Sequence, residues 1–251
     1  MAKNMSSKTI FITATDTDAG KTYVSTLLLQ GLKQLDYQAI GVKPLAAGGN
    51  EAGYNEDALL LQQHSSNALL YSAATGAALP YSWFNPIYLP QAVAPHLAAK
   101  LNQQAICEQT LNISLQSWQQ QQADLCVIEG AGGWLLPLNN QRYLADWVAD
   151  NQLPIIVVVA IKLGCLNHAM LTIREIARSG CKIVGWVANC VDPQMLLLEQ
   201  NIADLQQRIA WPCLAVLPLQ TKADNLNSAQ QAKQLASAVM TALTALANEK
   251  Y

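Results

Sequence analysis

The amino-acid sequence predicts an α/β fold, a mainly parallel sheet covered by helices on both faces, built as one domain over residues 1–251. Three observations predict it. Short apolar, β-branched runs alternate along the chain with longer segments whose apolar residues recur at helical spacing. The most apolar run, LPIIVVVAI from Leu153 to Ile161, shows no polar alternation, as expected of a strand buried on both faces of a parallel sheet. The third is the succession KTIFITA, TDTDAGKT, YVSTLLLQGLKQL near the N-terminus, which reads as strand, loop and helix.

Taken in order, the β-branched run at 9–14 is the first strand, and 21–36 is a helix with Val24, Leu27, Leu28 and Leu32 on one stripe. A strand is expected at 39–46, and a helix starts near Asp57 in GYNEDALLLQQ. Helices at 92–103 and 107–121 follow, the second ending in the Gln-rich QSWQQQQAD, which reads as a solvated face. The remaining strands are placed at 124–129, 154–160, 182–188 and 213–217, and the remaining helices at 167–179, 194–209 and 228–247. Residues 1–8 are expected to form a flexible extension. In a sheet of this kind ligands bind outside the carboxyl ends of the strands, so functional residues should sit just after them.

Composition narrows the partners. A formal charge of −2, with Lys and Arg scattered singly, gives no electrostatic footprint for nucleic acid. The longest apolar run falls well short of the ~20 residues of a membrane span, and MAKNMSS lacks the apolar stretch of a signal peptide, so a cytoplasmic protein is expected. The cysteines at 107, 126, 165, 181, 190 and 213 form no C-x-x-C pair and read as reduced thiols. His64, His96 and His168 are far apart and suggest no histidine-centred site.

Gly20-Lys21-Thr22 ends a loop between strand and helix. In such a loop backbone N–H groups wrap phosphates, the helix N-terminus adds partial positive charge, Lys21 reaches the terminal phosphates and Thr22 offers a hydroxyl to Mg²⁺. The strict pattern G-x-x-x-x-G-K-[ST] would put glycine at position 15, where Thr15 stands. Lys43, in the apolar IGVKPLAAGG, is a cation that is costly to bury without an anion, although a lysine snorkelling at a strand end would look the same. Asp57 lies where helix starts favour acidic residues in any case. Glu129 closes the strand DLCVIEG ahead of AGGW, so its carboxylate emerges where a magnesium nucleotide would sit.

In the same order, TDTDAGKT, VKPLAAG, NEDALLLQ, NPIYLPQAVAPH, VIEGAGGWLLPL, LADWV, IKLGCLNHAML and GWVAN resemble the blocks of the dethiobiotin synthetase family, from about Thr9 to Asn189. The resemblance implies a P-loop-type ligase that uses ATP and Mg²⁺ to join CO₂ (or bicarbonate) to the two amines of 7,8-diaminononanoate, through a carbamate and a carbamic-phosphoric anhydride. It implies that Lys21 holds the β- and γ-phosphates, that Thr22, Asp57 and Glu129 ligate Mg²⁺, and that Lys43 stabilises carbamate and transition state. Thr17 and its loop neighbours would place the carbamate. Asp18, Ala19, Gly20 and Tyr23, with Gly130, Ala131 and Gly132, would contact nucleotide, while Asn189 and Cys190 would lie at the adenine, with Pro218, Leu219 and Gln220 as a looser second segment. The family works as a homodimer in which Gly164, Cys165 and Asn167 of one subunit would receive the substrate's carboxylate tail in the other's site; an ordinary turn capped by Asn167 is the alternative.

Two departures stand out. Ala14 replaces the first glycine of the family's loop, and Ala47 stands where the family carries a hydroxyl four places after the active-site lysine. Two other readings of the same architecture remain. A partition or septum-site ATPase would need a second lysine five positions before Lys21, where Asp16 stands, and a ligase acting on another diamine would share the loop.

Overall fold

The computed structural model describes residues 8–72, 75–219 and 225–248, with backbone alone for 225–227. Its centre is a six-stranded, wholly parallel sheet made of β1 (Lys8–Ala14), β2 (Ala39–Val42), β5 (Leu125–Glu129), β6 (Ile155–Ile161), β7 (Ile183–Cys190) and β8 (Cys213–Leu217), in the order β2-β5-β1-β6-β7-β8. A second, two-stranded parallel sheet pairs β3 (Leu45–Ala47) with β4 (Ile87–Leu89). The predicted fold class is therefore observed. β6 and β7 are buried at every position, which the unbroken apolar runs require.

Helices cover both faces. On one side α1 (Lys21–Gln34) packs against α9 (Asn225–Asn248), with Leu61 of α2 (Glu56–His64), over a core that includes Ile10, Ile12, Val127 and Val158. Gly31 makes the α1–α9 approach possible, since a Cβ there would overlap the Ala232 carbonyl. On the other side lie α4 (Pro95–Leu101), α5 (Glu108–Gln120), α6 (Leu144–Asp150), α7 (Cys165–Arg178) and α8 (Leu198–Arg208), over a core centred on Phe11, Trp118, Trp147 and Trp186. A short helix, α3 (Tyr81–Phe84), precedes β4. Among the described residues no helix is long and apolar enough to cross a membrane.

The differences from the expected elements have local causes. The strand expected at 39–46 is two strands, broken at Lys43-Pro44, because proline has no N–H for a ladder and the chain there leaves the large sheet to pair with β4. The helix expected at 92–103 starts only at Pro95, a favoured first helical residue that holds Ala94 extended. The helix expected from 194 starts at Leu198, because Asp192 Oδ1 accepts the Gln194 N–H at 2.9 Å in a turn and Leu197 has φ +53°. α7 starts at Cys165 with Gly164 as its N-cap, so Asn167 lies inside the first turn and is not the cap. The N-terminal extension lies outside the described residues except for Lys8, which already belongs to β1.

This topology makes a crevice. From β1 the chain crosses to the β2 edge, and after β5 it crosses to β6 on the other side of β1, so the carboxyl ends of β1 and β5 open at the switch point. Ile12 is in register with Glu129, which puts the loop after β1 beside the glycines after β5.

Candidate active site

The loop after β1 needs no glycine at its start. Ala14 is still in the strand, in register with Val158 and wholly buried, so the departure falls where extended backbone suits any residue. Thr15 prolongs the pairing, donating its N–H to the Val158 carbonyl at 3.0 Å and accepting the Ala160 N–H on Oγ1 at 3.2 Å. The turn is made further on, by Asp18 at φ +59° and Gly20 at φ +90°. Gly20 is required twice over, because a Cβ there would also overlap Asn189 Nδ2. That amide nitrogen donates to the Ala19 carbonyl at 2.8 Å, so the end of β7 steadies the loop. Asp16 is held from another direction, by the Lys162 ammonium at 3.1 Å, and this pairing pulls its carboxyl below the usual range.

Four charged side chains and one hydroxyl meet under the loop. Lys43 Nζ lies 2.6 Å from Glu129 Oε1 and 2.8 Å from Asp57 Oδ2, and Thr22 Oγ1 donates to Glu129 Oε1 at 2.9 Å. Lys21 Nζ donates to the Gly132 carbonyl at 2.6 Å, joining the loop to the turn after β5. Lys43 and Glu129 are both buried, and a buried cation needs its partners. Burial alone would lower the pKa of Lys43, but the Glu129 and Asp57 carboxylates outweigh it and hold it above the ordinary lysine value. For Lys21 burial wins, helped by the neighbouring Lys43 charge, and its pKa falls. Burial would raise the Asp57 carboxyl, yet Lys43 and the Thr22 hydroxyl bring it below its ordinary value. The lysine at the strand end is thus an ion-pair partner, not a snorkelling side chain.

These groups open onto a cleft of about 800 Å³ lined by Thr17, Asp18, Gly20, Lys21, Thr22, Lys43, Ala47, Asp57, Ala131 and Gly132. Asn55, Gly133, Leu135, Leu136 and the segment from Ala92 to Pro95 complete the lining, and the sequence reading had not assigned them. Their signal was present in NEDALLLQ, NPIYLPQAVAPH and VIEGAGGWLLPL, but only as pattern, without a role for any one of these residues. A second cavity, of about 710 Å³, lies around Lys8, Thr9 and Lys182 at the opposite ends of the strands, away from this chemistry.

Other expected site residues lie around the cleft. Ala19, within the loop, is wholly buried, and Tyr23 packs against the α1–α9 core. Gly130 donates its N–H to the Ile12 carbonyl at 2.9 Å, and a Cβ there would press on the Phe11 ring. Cys190 is buried at the end of β7, which raises its thiol pKa, while Pro218 and Leu219 follow β8 next to Asn189. Gln220 lies outside the described residues. Gly164 and Asn167 are exposed at the start of α7, whereas the Cys165 side chain is buried and its N–H donates to the Lys162 carbonyl at 2.9 Å.

A metal would find hard oxygen donors here. Glu129 Oε2 is buried with no hydrogen-bond partner, and Thr22 Oγ1 and Asp57 stand beside it; this all-oxygen set suits Mg²⁺ and not a softer metal. Among the described residues no group of three or more His, Cys, Asp and Glu forms a metal cluster, so the hydroxyl and a nucleotide's phosphates would have to supply the other ligands.

Loop, sheet order and buried lysines define a P-loop nucleotide-binding protein, and residues 8–227 match a family described as AAA domain. Among solved structures the chain is similar to the septum site-determining protein MinD with Mg-ADP from Pyrococcus horikoshii OT3 (18% identity, TM-score 0.54, 92% of this chain and 96% of that one). It is also similar to cobyrinic acid a,c-diamide synthase of Mycobacterium smegmatis with bound ATP analog and magnesium (15%, TM-score 0.56, 95% and 96%). Identities this low speak for the fold alone. Curated relatives are far more similar in sequence. The ATP-dependent dethiobiotin synthetase BioD of Pseudoalteromonas translucida (strain TAC 125) is 45% identical, covering 84% of this chain and 90% of the relative. The protein of the same name from Cellvibrio japonicus (strain Ueda107) is 44% identical over 85% and 90%. The chain belongs to the dethiobiotin synthetase family.

Proposed function

We propose that this protein joins CO₂ to 7,8-diaminononanoate with ATP and Mg²⁺, closing the cyclic urea of dethiobiotin and releasing ADP and phosphate. One observation carries the reading within the family: the buried Lys43 ammonium, held by Asp57 and Glu129, sits next to the phosphate loop in the same cleft as Thr17 and Ala47. One amine takes up CO₂ as a carbamate. The carbamate oxygen attacks the γ-phosphorus of ATP with ADP leaving, and the second amine then attacks the anhydride carbon to expel phosphate. Every species on this path is anionic, so positioned cations and backbone amides are what the site has to supply. Lys21 would turn to the β- and γ-phosphates, and Lys43 would neutralise charge building on the carbamate and the transferring group. Thr22, Asp57 and Glu129 would hold Mg²⁺, which when bound neutralises and orients the phosphates. Thr17 would place the carbamate, Gly130 to Gly132 would approach the nucleotide through their backbones, and Asn189, with Cys190, Pro218 and Leu219 near it, would meet the adenine.

The substrate's tail would be received by a second copy of the chain, at Gly164, Cys165 and Asn167. Leu163, Leu171, Leu196 and Leu197 are exposed on α7, the turn before it and the segment before α8, and this exposure of large apolar side chains supports a homodimer in which a partner subunit would cover them. The cytoplasm is the proposed location, and the six free cysteines fit a reducing compartment. The test is to supply diamine, ATP, Mg²⁺ and ¹³C-bicarbonate and follow the product by mass spectrometry. Label in the urea carbonyl is expected; a phosphorylated diamine or no product would refute the reading.

A further inference from the structure

Lys43 sits where the large sheet has ended at Val42 and β3 has not begun, so neither ladder fixes its backbone. It is held from β4's side of the molecule. Its N–H donates to the Phe84 carbonyl at 2.9 Å, and its carbonyl accepts Asn85 Nδ2 at 2.7 Å. Asn85, only 2% exposed, accepts the Tyr81 hydroxyl on Oδ1 at 3.0 Å, and the same Tyr81 oxygen accepts the Asn55 N–H at 2.8 Å. Asn55 is the N-cap of α2, accepting the Ala58 N–H on Oδ1 at 3.2 Å and donating Nδ2 to the Gly48 carbonyl at 2.9 Å. Asp57 is the second residue of that helix.

We propose that Tyr81 and Asn85 are positioning residues, a hydrogen-bonded relay that ties the backbone of Lys43 to the capped start of α2 and so sets where the Lys43 ammonium meets the Asp57 carboxylate. Neither residue lines the cleft, so neither is a catalytic residue. The relay needs a phenol that donates and accepts at once. Burial pushes the Tyr81 hydroxyl above its ordinary pKa, which keeps the proton it must donate. A phenylalanine would keep the ring, including its edge-to-face packing on Tyr54 at 4.7 Å, and would lose both bonds.

The kinetic part rests on the ligase reading, and Tyr81→Phe tests the relay. Amide exchange at Asn55 and in the first turn of α2 should quicken. At saturating diamine, kcat should fall about three- to tenfold, the range of one or two neutral hydrogen bonds, with the KM for ATP unchanged because the phosphate loop is not part of the relay. Because Tyr81 acts through the ion pair, combining Tyr81→Phe with Asp57→Asn should cost little beyond Asp57→Asn alone. A variant with unchanged exchange at α2, or one that loses melting temperature but keeps full kcat, would overturn the relay. A wild type without diamine-dependent turnover would count against the ligase reading instead.

Discussion

Lys43 Nζ lies 2.6 Å from Glu129 Oε1, and the two side chains are almost wholly buried, 5% and 0% exposed. Two groups in that relation stand or fall together: removing one leaves the other charged and buried without its partner. Lys43→Ala should therefore destabilise the fold by about 3–5 kcal/mol, far more than a surface lysine would. Denaturant melts read the loss. Part of it should be recovered in the double variant Lys43→Ala/Glu129→Gln, which removes the stranded charge as well; an additive double variant would contradict the pairing.

The pH dependence of stability follows from the same cluster. Lys43 has its folded pKa raised above its ordinary value of 10.5, so its contribution is complete below that value and is lost as pH rises through the folded pKa. Asp57 has its folded pKa lowered below 3.8, so its contribution is present above that value and is lost as pH falls through the folded pKa. Between these limits Lys43 and Asp57 should add no slope to stability, whereas Lys21, whose folded pKa is lowered by burial, should make stability rise with pH from its folded pKa toward 10.5. Thermal melts of wild type and Asp57→Asn should differ by a constant amount near neutrality and converge in acid.

Lys21 and Lys43 should separate in function although both are buried. Lys21→Ala should abolish nucleotide binding, because the loop loses its cation for the terminal phosphates. Lys43→Ala, assayed below its melting range, should still bind nucleotide and should slow the chemistry. Calorimetric titration with an ATP analogue and single-turnover kinetics distinguish the two. Full-rate chemistry in Lys43→Ala would remove its assigned role.

Glu129→Gln and Asp57→Asn should each raise the Mg²⁺ concentration needed for half-maximal turnover, since each replaces an anionic oxygen donor by a neutral one. An unchanged metal requirement in both would mean that the donors lie elsewhere.

Ala47 ends β3 and lines the cleft, so the hydroxyl it lacks would face the substrate. Ala47→Ser should lower the KM for the diamine roughly two- to tenfold, the worth of one neutral hydrogen bond, and leave the KM for ATP alone. A variant that binds diamine no better would show that another group already fills that place.

What could be read from the sequence was local. The phosphate loop is a run of neighbours between a strand and a helix, and Glu129 announces itself as a charge that closes an apolar strand. Lys43 and Asp57 were legible as chemistry but not as partners, since a residue at a strand end and one at a helix start carry no signal that they touch. The relay through Tyr81 and Asn85 was illegible for the same reason: hydrogen bonds to residues 26 and 42 positions away leave no periodicity. The break at Pro44 was in plain view, but only pairing with β4 shows that it starts a second sheet. Helix α6 was passed over because it is short, although the Tyr143 N–H bound to Asp146 Oδ2 at 2.7 Å is an ordinary helix start.

On the proposed reaction, the cluster of Lys21, Lys43, Asp57 and Glu129 would drive ATP cleavage for one purpose, the activation of a carbamate. Phosphate release measured with each component omitted in turn tests it most directly. Release should require the diamine, CO₂ and Mg²⁺ together and should match dethiobiotin formed, one for one. Equal release without the diamine would contradict the account, and would fit a regulatory ATPase on the same fold.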